Sequence, residues 1–237
     1  MRMKRLIKKH FERGNVCVVG LRGRGKDMLF ANVSQRRKLP YVSNVDYGGL
    51  YAPLDLSLLE CGGNTYENFI SGQVNYYQYP YPKGTDIYIS DVGVYFPSQY
   101  CNQLNNKYPE IPVFQALSRQ LGGCNVHCNV QNLNRAWDKL REQSDDYILC
   151  RWCLPLFKAK LIIQYITIYD SPESCIARRK PFRPPLSLSG KMRDYITMQR
   201  MNYEAQYGSI KNRLLIYRNK SKYNTTIFEE MLRNGKK

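Results

Sequence analysis

Hydrophobic and polar positions along the chain predict alternating strands and helices. Residues 15–19 are an apolar run between two glycines, which is typical of a buried parallel strand. Helical spacing follows over Lys26–Arg37, and Pro40 ends it. Further strands are predicted at residues 41–45, 86–91 and 124–130, and further helices at residues 54–59, 112–121 and 134–143.

The pattern changes to a hairpin later in the chain. Two strand-like runs, residues 147–157 and 160–169, are joined only by Lys158 and Ala159, and so short a connection favours antiparallel strands. Together these elements predict an α/β fold. Its mostly parallel sheet is flanked by helices and has an antiparallel hairpin at one edge.

The basic residues are concentrated at the two ends of the chain. The 237 residues include 36 Lys+Arg and 19 Asp+Glu, for a net charge of +17. Residues 1–38 hold 12 basic and 2 acidic residues, and residues 178–237 hold 15 and 4. The predicted organisation is a basic N-terminal arm (residues 1–13), an α/β domain (14–170), a Pro/Arg-rich linker (171–190) and a basic helical tail (191–237).

The excess positive charge indicates a polyanionic partner, either nucleic acid or an anionic membrane surface. For residues 1–13 two interpretations stay open, an arm that contacts phosphates and a solubilising terminus. The most apolar run, residues 161–169, is far shorter than the roughly 20 residues of a membrane-spanning helix. With no signal-peptide pattern and eight cysteines in no disulfide-like spacing, we expect a protein of a reducing cytoplasm.

A glycine-rich segment after the first strand carries the clearest chemistry. Residues 20–27 fit the pattern G-x-x-x-x-G-K, with Asp27 in place of the usual Ser or Thr. In such a loop the backbone N–H groups surround phosphate oxygens, the lysine reaches the β- and γ-phosphates, and the following helix adds its dipole. The predicted nucleotide-binding residues are Gly20, Leu21, Arg22, Gly23, Arg24, Gly25, Lys26, Asp27 and Met28.

Two carboxylates are candidates for holding Mg²⁺ through water beside this loop. Asp27 adds negative charge near the phosphates, so we expect metal-free nucleotide to bind poorly. Asp91 ends the predicted strand at 86–91, where a P-loop protein needs an acid on a neighbouring strand; an ordinary turn residue is the alternative. The next residue is Val92, so no general base for hydrolysis is evident.

Gln131 directly follows a predicted strand, and two interpretations of its role stay open. It could orient water or sense the γ-phosphate at the carboxyl edge of the sheet, or it could be a solvated turn residue.

The tail mixes basic residues with tyrosines, which suits single-stranded nucleic acid because charges bind the backbone and rings stack on bases. The alternatives are an anionic membrane and a polar helical subdomain whose tyrosines pack on the core. The predicted contacts are Arg178, Arg179, Lys180, Arg183, Lys191 and Arg193. Cys150 and Cys153 are predicted to face opposite sides of a strand and to be buried as small apolar residues rather than to bind zinc.

Residues 15–169 resemble the zonula occludens toxin-like (Zot) assembly ATPases of filamentous phages, within the FtsK–HerA superfamily. The resemblance rests on the ordered set of the P-loop, the acid-ended strand followed by Tyr95-Phe-Pro, and residues 118–131 and 137–141. It implies a RecA-like P-loop NTPase core, ATP and Mg²⁺ as cofactors, and a homo-oligomeric ring. It also implies partners: DNA, in particular a single-stranded phage genome, and phage assembly or coat proteins.

The resemblance also implies roles for individual residues. Lys26 would bind phosphates, Asp91 would coordinate Mg²⁺ through water, and Gln131 would be the sensor. Arg119 or Arg141 would complete a neighbour's site as an arginine finger. Three features depart from the family: Asp27, Val92 and the lack of the membrane-spanning segment that filamentous-phage members carry. The lack of that segment suggests a form in the host cytoplasm that is soluble or peripherally attached to the inner membrane.

Two functions are therefore predicted. The first is an ATP-binding and ATP-hydrolysing motor for phage DNA packaging or extrusion and virion assembly. The second is a nucleotide-binding but weakly hydrolysing DNA-binding or assembly protein. A small-molecule P-loop kinase is disfavoured, because the proline-rich residues 171–190 do not form an obvious lid.

Overall fold

A computed structural model describes residues 1–55, 82, 84–108, 125–157, 160–184 and 193–220 of the protein. Within these residues, eight strands form one sheet in the order β3-β2-β4-β5-β1-β6-β7-β8. The strands are β1 (Val16–Val19), β2 (Tyr41–Ser43), β3 (Tyr51–Pro53), β4 (Asp86–Ile89), β5 (Val126–Val130), β6 (Asp146–Leu156), β7 (Leu161–Tyr169) and β8 (Ile210–Arg218).

The direction of the strands confirms the predicted fold class. From β3 to β6 every neighbouring pair is parallel, whereas β6, β7 and β8 pair antiparallel. The β6–β7 pairing is the hairpin expected from the two-residue connection. The result is an α/β sheet, mostly parallel, with antiparallel strands along one edge.

The sheet is accompanied by two longer helices and several short ones. They are α1 (Met3–Leu6), continued by a π-helical turn (Ile7–Phe11), α2 (Lys26–Arg37), α3 (Val92–Tyr95), α4 (Cys101–Lys107), α5 (Asp138–Glu142), α6 (Pro172–Ile176) and α7 (Arg193–Tyr207), with 3-10 turns at Ser98–Tyr100 and Leu133–Arg135. No helix in the described part of the chain is long and apolar enough to cross a bilayer.

The predicted helices differ in how well the structure agrees with them. Helix α2 has the predicted bounds, and the helix predicted over 134–143 is reduced to a 3-10 turn and α5. The helix predicted over 112–121 lies outside the described residues. Of the one predicted over 54–59 only Leu54 and Asp55 are described, and they are not helical.

Four of the parallel strands, β1, β2, β4 and β5, are buried on both faces, which explains their mostly apolar sequences. Val16 and Val18 of β1 face α1 and α2, in one apolar cluster. Cys17 and Val19 face the opposite cluster, formed with the helices of residues 92–142. Because β1 lies at the centre of the sheet, the loop that follows it is carried on the most enclosed strand.

The N-terminal segment is part of this domain and not a free arm. It forms α1 and the π-helical turn, and Met3, Leu6, Ile7 and Phe11 are buried in the same cluster as α2. The terminal amine donates to the carbonyl of Leu214 in β8 at 2.6 Å. The apolar residues at helical spacing explain the difference, since they require a surface to cover them.

The C-terminal region also differs from the predicted helical tail and linker. Helix α7 is followed by β8, which extends the sheet beside β7. Leu215 and Tyr217 are buried while Leu214 and Ile216 are exposed, an alternation typical of a strand. Within the predicted linker, α6 begins at Pro172 with the Ser171 hydroxyl accepting from the Ser174 backbone N–H, so that part is structured too.

A buried ion pair ties α2 to the start of β4. Arg37 pairs with Asp86, and both side chains are at least nine-tenths buried. The Arg37 guanidinium also donates to the carbonyl of Phe11 at 2.9 Å and lies 3.2 Å from the ring nitrogen Nε2 of His127. Burial raises the pKa of Asp86 to about 7, and Arg37 opposes that rise. Burial and the nearby Arg37 lower the pKa of His127, which keeps its ring neutral.

We expect Arg37→Met to lower the free energy of unfolding by about 3 kcal/mol at pH 8, because it leaves a buried carboxylate without its partner. The loss should shrink as the pH falls towards 6. Removing Arg37 raises the pKa of Asp86 above its already elevated value, so the carboxyl then takes up a proton and no longer buries a charge. Urea unfolding at the two pH values measures the difference.

The matched control is the double variant Arg37→Met with Asp86→Asn, which has no ionisable group at position 86, so its own stability should fall less between pH 6 and pH 8 than that of the single variant. Equal losses for the single variant at pH 8 and pH 6 would contradict the expected role of Asp86.

Candidate functional site

The glycine-rich loop lies between β1 and α2, as the motif predicts. Residues 21–24 are exposed, whereas Lys26 is only 6% exposed. Gly23 and Gly25 have φ of 76° and 80°, a left-handed conformation that favours glycine. The carbonyl of Gly25 accepts from the backbone N–H of Leu29 at 2.9 Å, which starts α2. The loop therefore presents backbone to solvent at the N-terminus of a helix.

The loop is pressed against β6, and two of its glycines are required by that contact. A Cβ on Gly25 would lie 2.7 Å from the Cβ of Cys153. A Cβ on Gly20 would lie 2.9 Å from the carbonyl oxygen of Cys150. Neither position has room for a side chain, so both glycines are fixed by close approach.

Gln164 of β7 forms hydrogen bonds to the loop and was not predicted to be a site residue. Its side-chain amide donates to the carbonyls of Arg24 at 3.3 Å and Gly25 at 3.1 Å. Its oxygen accepts from the hydroxyl of Tyr217 at 3.0 Å, and Gln164 itself is fully buried. A glutamine inside an otherwise apolar strand is the only sequence signal that could have marked it.

Asp27 is held by three neutral donors from other parts of the chain, all bonded to the same carboxylate oxygen, Oδ1. They are the hydroxyl of Tyr47 at 3.0 Å, the hydroxyl of Ser90 at 2.8 Å and the side-chain amide of Asn129 at 2.8 Å. The carboxylate is thereby positioned without a cation among these donors. None of the three was predicted, because their positions, 20, 63 and 102 residues from Asp27, leave no local pattern.

Asp91 lies at the carboxyl end of β4, but the expectation of a neighbouring strand needs correction. Strand β5 separates β4 from β1, so Asp91 is two strands away from the loop-bearing strand. Asp91 has φ of 52° and is half-buried, and its backbone N–H donates to the side-chain oxygen of Asn129 at 2.9 Å. Asn129 thus connects Asp91 to Asp27 across the intervening strand.

Gln131 follows β5 directly and its side chain is exposed. The preceding residue, Val130, accepts from the backbone N–H of Gly20 at 3.1 Å, so Gln131 is next to the residue that contacts the start of the loop. This location agrees with the carboxyl-edge position expected of it. Its sensor role stays a prediction.

Arg141 lies at the opposite edge of the sheet from the loop of its own chain. It belongs to α5, which leads into β6, and its carbonyl accepts a hydrogen bond from Tyr147 near the start of that strand. Asp146, the first residue of β6, pairs with Val16, the first residue of β1, whereas the loop follows the last. Arg141 could therefore act only on a neighbour's site. Arg119 lies outside the described residues.

Most of the tail residues predicted to bind nucleic acid lie within the described part of the chain. Arg178, Arg179, Lys180 and Arg183 are exposed; Lys191 lies outside the described residues, and the backbone of Arg193 begins α7. The guanidinium of Arg179 lies 3.8 Å from the ring centre of Tyr207. The hydroxyl of Tyr203 donates to the carbonyl of Lys180 at 2.6 Å. These rings are engaged within the protein.

Tyr217 belongs to the tail tyrosines that were predicted to stack on bases, but it is not available for stacking. It is a buried residue of β8 in the cluster that includes α2. Tyr195 is exposed, and Tyr223 lies outside the described residues.

Cys150 and Cys153 share one face of β6, which corrects the prediction that they face opposite sides. A β-bulge between Cys150 and Trp152 shifts the alternation, so both thiols pack towards the loop. Burial raises the pKa of Cys153 to about 11 and that of Cys150 further, so both are neutral thiols. In the described residues no cluster of three or more His, Cys, Asp or Glu could hold a metal ion.

The fold is similar to several solved structures at low sequence identity. The N-terminal domain of zonular occludens toxin from Neisseria meningitidis is 13% identical, with a TM-score of 0.43, covering 76% of this chain and 97% of that chain. The genome-packaging NTPase B204 from Sulfolobus turreted icosahedral virus 2, in complex with AMPPCP, is 15% identical with a TM-score of 0.40, covering 70% and 94%. The Legionella pneumophila ATPase DotB is 8% identical with a TM-score of 0.34, covering 94% and 61%.

The zonula occludens toxin group, which the sequence motifs resemble, is thus represented among these structures. No family model matches the sequence, and no curated protein matches it. Likeness at this distance assigns no activity to the chain, so its function is inferred from the residues of the site.

We expect Gln164→Leu to lower the free energy of unfolding by about 1–3 kcal/mol, because it leaves the carbonyls of Arg24 and Gly25 without their buried donor. The loop should also hold its shape less well, so the variant should bind ATP more weakly. Urea unfolding and titration with a fluorescent ATP analogue measure the two effects.

Tyr217→Phe is the matched control, since it removes only the hydroxyl on the far side of Gln164 and leaves both bonds to the loop. Its ATP affinity should stay close to that of the wild type. If both variants weakened ATP binding equally, the loop contacts of Gln164 would not be the cause.

Proposed function

We propose that the protein is a P-loop ATPase that binds ATP with Mg²⁺ and couples its turnover to the handling of DNA. The observation that carries the nucleotide site is the loop of residues 20–25 on the central strand β1, with buried Lys26 opening α2. Exposed backbone N–H groups, a lysine and a helix N-terminus together form the arrangement that binds the phosphates of a nucleotide.

The residues beside the loop fit a magnesium ion. Mg²⁺ prefers carboxylate oxygens together with water, and two acids meet at Asn129, whose side chain donates to the Asp27 carboxylate and accepts from the backbone N–H of Asp91. All the donors to Asp27 are neutral groups on its Oδ1, so its negative charge is not cancelled by an ion pair among the described residues. Asp27 and Asp91 would hold the ion through water, and it would supply positive charge beside the phosphates.

Lys26 and the backbone of residues 20–25 would hold the phosphates, and Gln131 would orient the attacking water or report on the γ-phosphate. The residue after Asp91 is Val92, which is fully buried in the apolar core and cannot act as a base. This favours slow hydrolysis. A second candidate function, a nucleotide-binding assembly protein with weak turnover, rests on that observation.

The handling of DNA, in virion assembly or genome packaging and extrusion, is proposed from two observations. The chain carries a net charge of +17, which suits a phosphate polymer. Its motifs resemble those of the Zot assembly ATPases. A homo-oligomeric ring is part of the proposal, because Arg141 lies too far from its own loop to act there and would need a neighbour's site.

We expect the wild type to hydrolyse ATP, with turnover rising when single-stranded DNA is added, and Lys26→Ala to reduce turnover to background. The lysine contributes a charge-assisted contact to the phosphates that alanine cannot replace. Release of inorganic phosphate, with and without a single-stranded oligonucleotide, is the measurement. Lys139→Ala, an exposed lysine of α5, serves as the control. Turnover that Lys26→Ala leaves unchanged would overturn the proposal, and ATP binding without turnover would support the second function.

Asp27→Ser should strengthen the binding of metal-free ATP by at least about tenfold, because it removes a negative charge within a few ångströms of the phosphates. The same change should reduce the gain in affinity that Mg²⁺ gives the wild type. Titration of a fluorescent ATP analogue in EDTA and in Mg²⁺ measures both. Asp46→Ser, an exposed acid outside the loop, is the control. Identical affinities of wild type and Asp27→Ser in EDTA would show that Asp27 does not face the phosphates.

A further inference from the structure

The exposed side of the N-terminal helix is a continuous cationic surface. A groove of about 400 Å³ is lined entirely by basic residues, namely Arg2, Lys4, Arg5, Lys8, Lys9 and Arg13. All six are exposed. We call this set the N-terminal cationic surface.

The cations of this surface are held on a fixed scaffold. The opposite side of the same helical segment buries Met3, Leu6, Ile7 and Phe11 against the sheet. His10 adds a 2.8 Å contact with Asp146 at the start of β6. The backbone that carries the cations is thereby anchored along its length.

Five of these charges have no ion-pair partner among the described residues. The ion pair of this segment is that of His10 with Asp146, and no described salt bridge involves Arg2, Lys4, Arg5, Lys8 or Lys9. Concentrated like charges on one face repel one another, so the surface gains stability when an anionic partner covers it.

Strand β8 extends the surface sideways. Arg213 and Lys211 pair across the strands with Ile166 and Ile168, whose side chains are buried in the cluster that includes α1. Directly paired residues project to the same face of a sheet, so both exposed cations lie on the face that carries the N-terminal helix.

We propose that the N-terminal cationic surface binds the phosphate backbone of a nucleic acid. This inference rests on the proposed DNA-handling function and places a main contact on residues 2–13 rather than on the tail. At about 1.5 Å per residue these residues extend roughly 18 Å, and phosphates of one duplex strand are spaced about 3.4 Å along the axis. Some five phosphates of one strand can therefore face the six cations.

The buried apolar side distinguishes a nucleic acid from a membrane as the partner. An interfacial helix binds a bilayer by inserting its apolar face among the lipids. Here that face is already covered by the sheet, and Leu6 and Phe11 are completely buried. The charges remain available, and they suffice for a phosphate backbone, whereas on a bilayer they would act without the apolar insertion that strengthens an interfacial helix.

The test is the salt dependence of DNA binding by the full chain. The triple variant Arg5→Gln, Lys8→Gln, Lys9→Gln is compared with the wild type by fluorescence anisotropy of a labelled 30-nucleotide single strand and its duplex, in KCl and without ATP. The slope of log affinity against log salt should fall by about 2 for the single strand and about 3 for the duplex, since each lost contact removes 0.7 or 0.9. Affinity near 100 mM salt should fall at least about tenfold.

Two further variants make the result specific. Arg135→Gln, Lys139→Gln, Lys160→Gln removes three exposed cations elsewhere and should change the slope by less than about one. Arg5→Lys, Lys8→Arg, Lys9→Arg keeps the charge and should retain the slope. Thermal unfolding by circular dichroism shows that the helix still packs in each variant.

Several outcomes would overturn the proposal. They are equal slope losses in the two neutralised variants, a slope lost only on changing Arg178, Arg179 and Lys180, and binding to phosphatidylglycerol vesicles but not to the oligonucleotides. Because ATP is absent from the assay, the result is independent of turnover. Failure of Lys26→Ala to affect hydrolysis would count against the ATPase and leave the DNA contact standing.

Discussion

The site depends on the close packing of the glycine-rich loop against the two strands beside it. Gly20 and Gly25 pack against the backbone and side chains of β6 with no room for a Cβ. The side-chain amide of Gln164 in β7 donates hydrogen bonds to the loop carbonyls of Arg24 and Gly25. The shape of the loop is therefore set by the antiparallel hairpin as much as by its own sequence. The β-bulge after Cys150 belongs to the same arrangement, since it turns Cys153 towards Gly25.

Strand β4 and its flanking residues bring together two carboxylates in opposite electrostatic settings. At its start, Asp86 is buried against Arg37, which serves the fold. Just past its end, Ser90 contributes a neutral hydroxyl to Asp27, whose charge is left for a ligand. The structural pair and the candidate chemical group are thus separated along one strand. This division leaves the Asp27 carboxylate, beside the glycine-rich loop, without an ion-pair partner among the described residues.

Local pattern was sufficient for much of the fold and for the centre of the site. The glycine spacing located the loop and α2, and the two-residue connection located the hairpin. Sequence could not predict the donors Tyr47 and Asn129, because their relation to Asp27 exists only once distant strands are adjacent. A β-bulge likewise has no periodic signal in the sequence, so the predicted orientation of the Cys153 side chain was wrong. Strand β8 was missed because its cations masked a half-buried alternation.

The placement of β1 has a consequence for how the molecule forms. It is the first strand in the chain, yet its two neighbours in the sheet, β5 and β6, lie more than 100 residues further on. Contacts this distant in sequence close large loops and form slowly. During synthesis the glycine loop cannot reach its final shape until the ribosome has released the β6–β7 hairpin. Ligand binding is therefore a late event in the maturation of the chain, and a truncated product ending before residue 161 lacks the strand that supports it.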